Sequence, residues 1–190
     1  MNPSTIILFI LLAIPVLIAM LYNSLVRLRN AVAASWRQID VQLTRRHDLI
    51  PNLVEAVKGY MQFERDTLTQ VVEARNQAIS ATSQAARMSA ENQLTAGLGR
   101  LLAVVERYPE LKADQNVLRL QEELTTTENQ IAFARQAYND LVMQLNTRLQ
   151  SFPTSLVARR FGFTEAEYFK PPPGEEAVPQ VSLSLGAGRP

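Results

Sequence analysis

Residues 117–145 read VLRLQEELTTTENQIAFARQAYNDLVMQL, and the spacing of their apolar side chains decides the fold. Val117, Leu120, Leu124, Thr127, Ile131, Ala134, Tyr138, Leu141 and Leu145 alternate three and four apart over about four heptads. Side chains so spaced share one face, so the stretch predicts a long helix that must bury this seam against other helices. Phe152 and Pro153 close it. Upstream, Leu94, Leu98, Leu101, Val105 and Tyr108 form a second stripe on a helix over about 91–107. The loop YPELKAD follows, and its last residue, Asp114, is an N-cap for the long helix.

Further upstream, Val54, Val57, Met61, Glu64, Leu68, Val71, Arg75 and Ala78 make a stripe with two charged members, on a helix ending near Ser80. Its start is read at His47, Asp48, Leu49, Ile50 and Pro51, with Asp48 as N-cap and Pro51 in a first turn whose N–H groups need no helical partner. Before that turn, Leu25, Leu28, Val32, Trp36, Ile39 and Leu43 continue the three-four pattern with no Pro or Gly from residue 22 to 46. No stretch alternates as a strand between hairpin turns. The prediction is an all-α protein: about four helices in an antiparallel bundle, the first of them stalk-like. Residues 156–169 are expected to add a short helix and a packed aromatic segment with Phe161, Phe163, Tyr168 and Phe169. From Lys170 the chain reads KPPPGEEAVPQVSLSLGAGRP and is expected to be a disordered tail.

The amino-terminal end has a different chemistry. No charged side chain occurs before Arg27, and the run from Ile6 to Leu21 is IILFILLAIPVLIAML. With its flanks it spans about 28 Å as a helix, the thickness of a bilayer core. Pro15 is tolerated in a membrane-spanning helix. A cleaved signal peptide fits less well, because no Lys or Arg precedes the run and no small-x-small site follows it before Arg27. Arg27, Arg29 and Arg37 follow with no acid before Asp40, which places the body in the cytoplasm and the short amino-terminal end outside a cell membrane. The expected division is therefore anchor 1–22, cytoplasmic bundle 23–169 and tail 170–190.

Within 190 residues there is no cysteine and one histidine, and the formal net charge is +1. Disulfides, thiolate metal sites and cysteine nucleophiles are excluded, and there is no polybasic nucleic-acid signature. Phosphate loops, nucleophile elbows, dinucleotide fingerprints and zinc patterns are also missing from the sequence.

Several long motifs resemble the LemA family: YNSLVRLRN (22–30), WRQIDVQL (36–43), RRHDLIPNLVEAVKGYM (45–61), LGRLLAVVERYPELKA (98–113), LQEELTTTENQIAFARQAYND (120–140), and FGF with YF near 161–169. The likeness covers roughly residues 20–170 and leaves the Pro-rich tail outside. It implies an amino-terminal transmembrane helix, a cytoplasmic domain of long helices and an association with membrane organisation.

The candidate sites are few. His47 with Asp48 and Glu55 is the first place to look for a metal or acid-base centre. A carboxylate-bridged metal bundle needs Glu-x-x-His on two helices, and position 44 is Thr44, so a cap-and-turn role is preferred. Arg45 and Arg46 are too few for an anionic-lipid patch and are read as solvated or intrabundle. Glu64 and Arg75 each need a partner on a facing helix. Glu122, Glu123 and Glu128 flank the seam as surface charge. Phe133 lies off the seam, marking either a wider buried face with Gln130 and Ala137 or a self-association surface. Gly97 and Gly99 suggest close helix approach. The preferred function is a non-enzymatic, membrane-anchored scaffold or adaptor without cofactor. It would be held in the bilayer by Ile6 to Leu21 and contact itself or another membrane protein through Arg45, Arg46, His47, Asp48 and Phe133. The alternative is a ligand-binding or enzymatic bundle using His47, Asp48 and Glu64.

Overall fold

The computed structural model describes residues 3–61 and 64–170, and the tail expected beyond residue 170 lies outside them. Among the described residues there are six helices and no strand: α1 (Pro3–Lys58), α2 (Arg65–Ser80), α3 (Gln84–Val105), α4 (Pro109–Ala113), α5 (Gln115–Gln150) and α6 (Thr154–Arg160). The all-α bundle read from the spacings is the observed architecture. Asp114 caps α5 as expected, its carboxylate accepting from the backbone N–H groups of Asn116 and Val117. Ser83 does the same for α3 by accepting from Ala86 N.

α1 and α5 run antiparallel. Ser24 meets Arg148, Trp36 meets Tyr138 and Arg46 meets Glu128, so moving up one helix means moving down the other in constant register. This pair buries two successive apolar clusters. The first holds Leu25, Val32, Ile39 and Leu43 of α1 against Ile131, Tyr138, Val142 and Leu145 of α5. The second holds Ile50, Leu53 and Val57 of α1 with Val117 and Leu124 of α5, and here the α2–α3 hairpin adds Val71, Leu94, Leu98 and Leu101. The molecule is thus a two-helix stem that widens into four helices.

The elements differ from the sequence expectation in three places: α3 begins at Gln84 rather than near residue 91, residues 109–113 of the expected loop form the short helix α4, and the end of α1 is displaced. α1 does not stop at His47 to Pro51 but runs 56 residues, roughly 84 Å, to Lys58, and the break falls between it and α2. Asp48 is exposed inside the helix and caps nothing. Proline at position 51 has no N–H to give the His47 carbonyl, which would ordinarily end or kink a helix. The side chain of Arg75 supplies the missing donor, its Nε lying 2.7 Å from His47 O. A facing helix therefore repairs the ladder that Pro51 interrupts.

The glycines of α3 also depart from expectation. A Cβ at Gly97 would meet Val71 Cγ2 at 3.6 Å, an ordinary contact, and at Gly99 it would meet nothing within 4 Å. Neither marks an approach that only glycine permits. Gly99→Ala should therefore stabilise the fold by about 0.5–1 kcal/mol through helix propensity, read as a higher thermal midpoint. An unchanged or lower midpoint would contradict this account.

Candidate functional site

Between the two apolar clusters lies a single polar layer. The α1 stripe passes from Leu43 through Arg46 to Ile50, so the helical repeat carries a guanidinium into the interior, where it is fully buried. Arg46 Nη1 donates to Thr95 Oγ1 at 2.7 Å and to Glu128 Oε1 at 2.6 Å. Nη2 pairs with Glu91 Oε2 and also reaches the Glu91 carbonyl at 3.4 Å. The other Glu91 oxygen, Oε1, sits 2.9 Å from His47 Nε2. Burial works to raise the Glu91 pKa, but the close approach of His47 and the positive charge of Arg46 outweigh it. The carboxyl is held below its ordinary value of 4.5.

This arrangement fixes register rather than offering a reactive group. One Glu91 oxygen is paired with Arg46 and the other lies against His47, and the carboxyl is held ionised, the opposite of what a general acid requires. Sliding α1 by one turn against α3 or α5 would bury Arg46 among leucines and leave both carboxylates without it. Such an unpaired interior charge is strongly disfavoured. Among the described residues no group of three or more His, Cys, Asp or Glu is disposed to hold a metal ion.

A second polar device fastens the end of the described chain. Past α6, Gly162 takes φ +70°, a left-handed conformation that a side chain would strain, and Phe163 N bonds back to Ala158 O. Residues 163–170 then run along α5. Asn146 donates to Ala166 O and accepts from Ala166 N, and Asn139 makes the same pair of bonds with Phe169. Seven helical residues rise about 10.5 Å, and three extended residues advance about 10 Å, so the two asparagines match the pitch of the strap. Phe169 is buried against Trp36, with the Arg135 guanidinium 4.0 Å from its ring centroid. Tyr138 completes the seam, accepting from Gln84 and donating to Glu167 O. Burial pushes its phenol up, so it stays protonated as that donor. Asn139→Ala combined with Asn146→Ala should release the strap, seen as fast amide exchange at 163–170 while α5 stays protected. Slow exchange there would show that Phe169 packing alone suffices.

Arg46 and His47 are buried in the polar layer, so they offer no surface, whereas Arg45 and Asp48 are exposed. The cap-and-turn reading of His47 is corrected: it lies within a continuous helix and its ring faces Glu91. Glu55 is exposed and pairs with Lys58. Glu64 sits half-buried at the α2 N-terminus with no side-chain cap bond, and no hydrogen bond or ion pair joins it to His47 or Asp48. Arg75 does find its partner across the bundle, a backbone carbonyl. Glu128 is not simple surface charge but a ligand of Arg46, 30% exposed. Phe133 is 72% exposed, with Gln130 and Ala137 also exposed, so α5 has no wider buried face there. Glu91 was overlooked as a site residue. It lies on the α3 stripe three residues before Leu94, and an acid on one stripe with a base on another was the available signal.

The described chain is thus an all-α stem-and-bundle protein with one helix long and apolar enough to cross a membrane. The most apolar 18-residue window of that helix has mean hydropathy 1.9 and is only 6% buried. The LemA family profile matches residues 35–183, and the chain belongs to the LemA family. That match begins within the stem and continues into the Pro-rich stretch, which the sequence reading had left outside the shared region. Magnetosome protein MamQ 2 of Paramagnetospirillum magneticum is 25% identical over 195 residues, covering 87% of this chain and 72% of the relative. Magnetosome protein MamQ of Magnetospirillum gryphiswaldense is similar to the same extent. Protein LemA of Metamycoplasma hominis is 24% identical over 149 residues, covering 78% and 68%.

Proposed function

We propose that the protein is a non-enzymatic, membrane-anchored helical scaffold. Ile6 to Leu21 spans the cell membrane once, the short amino-terminal end lies outside, and residues 23–169 form a cytoplasmic body. That body engages a second copy or another membrane protein. The observation that carries this reading is the unbroken α1, whose exposed apolar part continues as the first helix of the bundle and ties it rigidly to the anchor. The mutual pairing of the interior ions supports contact over catalysis, and Phe133, exposed on the outer face of α5, is the side chain best suited to such contact. The likeness to magnetosome proteins is consistent with a part in organising membranes.

Chemical cross-linking in native membranes followed by mass measurement of the detergent-extracted protein tests the proposal. A discrete metal-free assembly that weakens in Phe133→Ser is expected. A stoichiometric metal that is lost in His47→Ala would overturn it. Orientation is read by labelling Asp66→Cys in this cysteine-free chain: reaction only after permeabilisation is expected, and reaction in intact cells would reverse the topology.

A further inference from the structure

α6 lies beside the apolar part of α1, and this placement has a consequence for the bilayer. Leaving α5, the chain reaches Phe152 and Pro153, passes through α6 and returns, so that the Phe161 ring packs at a tilt against Tyr22, centroids 4.9 Å apart. Between those points α6 and its flanks line a groove of about 420 Å³ with Ile14, Leu17, Ile18 and Leu21. Ile14 is eight residues before Tyr22, roughly 12 Å further along the helix axis. A membrane that receives residues 6–21 therefore receives the level of α6 as well. Three large apolar side chains stay open there: Phe152 is 81% exposed, and Leu156 and Phe161, which also line the groove, are 60% and 53% exposed. Val157 and Ala158, on the inner side of the same short helix, are buried.

Arginines outnumber acids at this level, the acids beside them being Glu165, which accepts from Gln150 Nε2 at 2.8 Å, and Glu167. Residues 145–163 contain Arg148, Arg159 and Arg160 and no acid, and residues 1–39 contain Arg27, Arg29 and Arg37 and no acid. Arg27, Arg159 and Arg160 are exposed and pair with no carboxylate among the described residues. The chain as a whole is nearly balanced, with 19 basic and 18 acidic residues, so this local excess is specific to the end nearest the anchor.

We propose that the turn from Phe152 to Phe161 is a second membrane-contact element. Its three apolar side chains enter the acyl boundary of the leaflet from which α1 emerges, and Arg159 and Arg160 lie on anionic headgroups. Interfacial segments insert their apolar face about 5–10 Å, which matches the depth set by Ile14 to Leu21, and long arginine stems reach back to the headgroup plane. Two attachments, one spanning and one interfacial, then fix the rotation of the stem about the membrane normal as well as its depth. The inference rests on the reading that α1 spans the bilayer.

Single-cysteine variants of the full chain test it, because the background has no cysteine. Leu12→Cys, Leu156→Cys and Phe133→Cys are each labelled with an environment-sensitive fluorophore. Each is reconstituted in phosphatidylcholine vesicles, with and without phosphatidylglycerol, containing acyl-chain nitroxide quenchers. Labels at 12 and 156 should be quenched several-fold more than the label at 133. Phosphatidylglycerol should increase quenching at 156, and Arg159→Gln with Arg160→Gln should remove that increase. Quenching at 12 with a response at 156 equal to that at 133 would overturn the second contact while leaving the anchor standing. No quenching at 12 would overturn the anchor and this contact together. Quenching at 156 that ignores phosphatidylglycerol would overturn the headgroup role of the arginines.

Discussion

Arg46→Ala should cost about 3–5 kcal/mol of folding stability, among the largest losses expected from a single truncation in the bundle. The substitution removes a fully buried guanidinium that holds Glu91, Glu128 and Thr95, and it leaves the Glu91 carboxylate buried with His47 as its one remaining partner. The cost comes chiefly from that stranded charge, since a buried pair gains little net stability over an apolar replacement. Arg46→Met combined with Glu91→Leu should therefore be less damaging than the two single changes summed, with a coupling of about 1–3 kcal/mol in a double-mutant cycle. Additive losses in thermal or denaturant unfolding would mean that the two side chains act independently.

The pH dependence follows with a defined sign. The Glu91 pKa is lower in the folded state than its ordinary 4.5, because Arg46 and His47 favour the ionised form over the opposing effect of burial. Its contribution is thus fully present above the unfolded value and is lost as pH falls through the folded one. The stability difference between the parent and Glu91→Gln should be greatest near neutrality and shrink below about pH 4.5. A difference that stays constant down to about pH 3 would show that Glu91 is not held as an anion.

Arg75→Ala should cost about 1–3 kcal/mol, and the cost should depend on residue 51. Pro51 denies the His47 carbonyl its helical donor, and Arg75 Nε replaces that donor at 2.7 Å. Removing Arg75 strands a carbonyl in the interior. In a Pro51→Ala background the backbone N–H is restored, the carbonyl keeps a partner, and the same substitution should cost less than about 1 kcal/mol. Amide exchange across residues 47–55 provides a local readout, with faster exchange expected in Arg75→Ala than in the double variant. An equal Arg75→Ala penalty in both backgrounds would sink the idea that this arginine compensates for the proline.

These predictions mark where the sequence was legible and where it was not. The stripes of α3 and α5 were readable because a helix places residues three and four apart on one face whatever the rest of the chain does. Asp114 was readable for the same reason, since its cap bonds span two and three residues. The α1 stripe continues through Leu43, Arg46, Ile50, Leu53 and Val57, yet the local signals at Asp48 and Pro51 spoke for a helix start. They lost because the decisive donor comes from Arg75, 28 positions away. Phe133 went the other way: an aromatic residue beside a heptad seam argues for extra burial, but neither α2 nor α3 extends over that face.

By itself the sequence determined the all-α class, the apolar first segment and the faces that must be buried, because each depends on composition or on spacing within one helix. The tertiary structure alone decided that α1 continues through Pro51, that Arg46 meets Glu91 and Glu128, and that α6 returns to the level of Ile14. Arg46 and its two acids are 45 and 82 residues apart. Periodicity specifies which side of a helix turns inward, but the partner of an inward charge depends on the register between helices. That register is chosen only when burial of all the stripes, and of their few charges, is satisfied together.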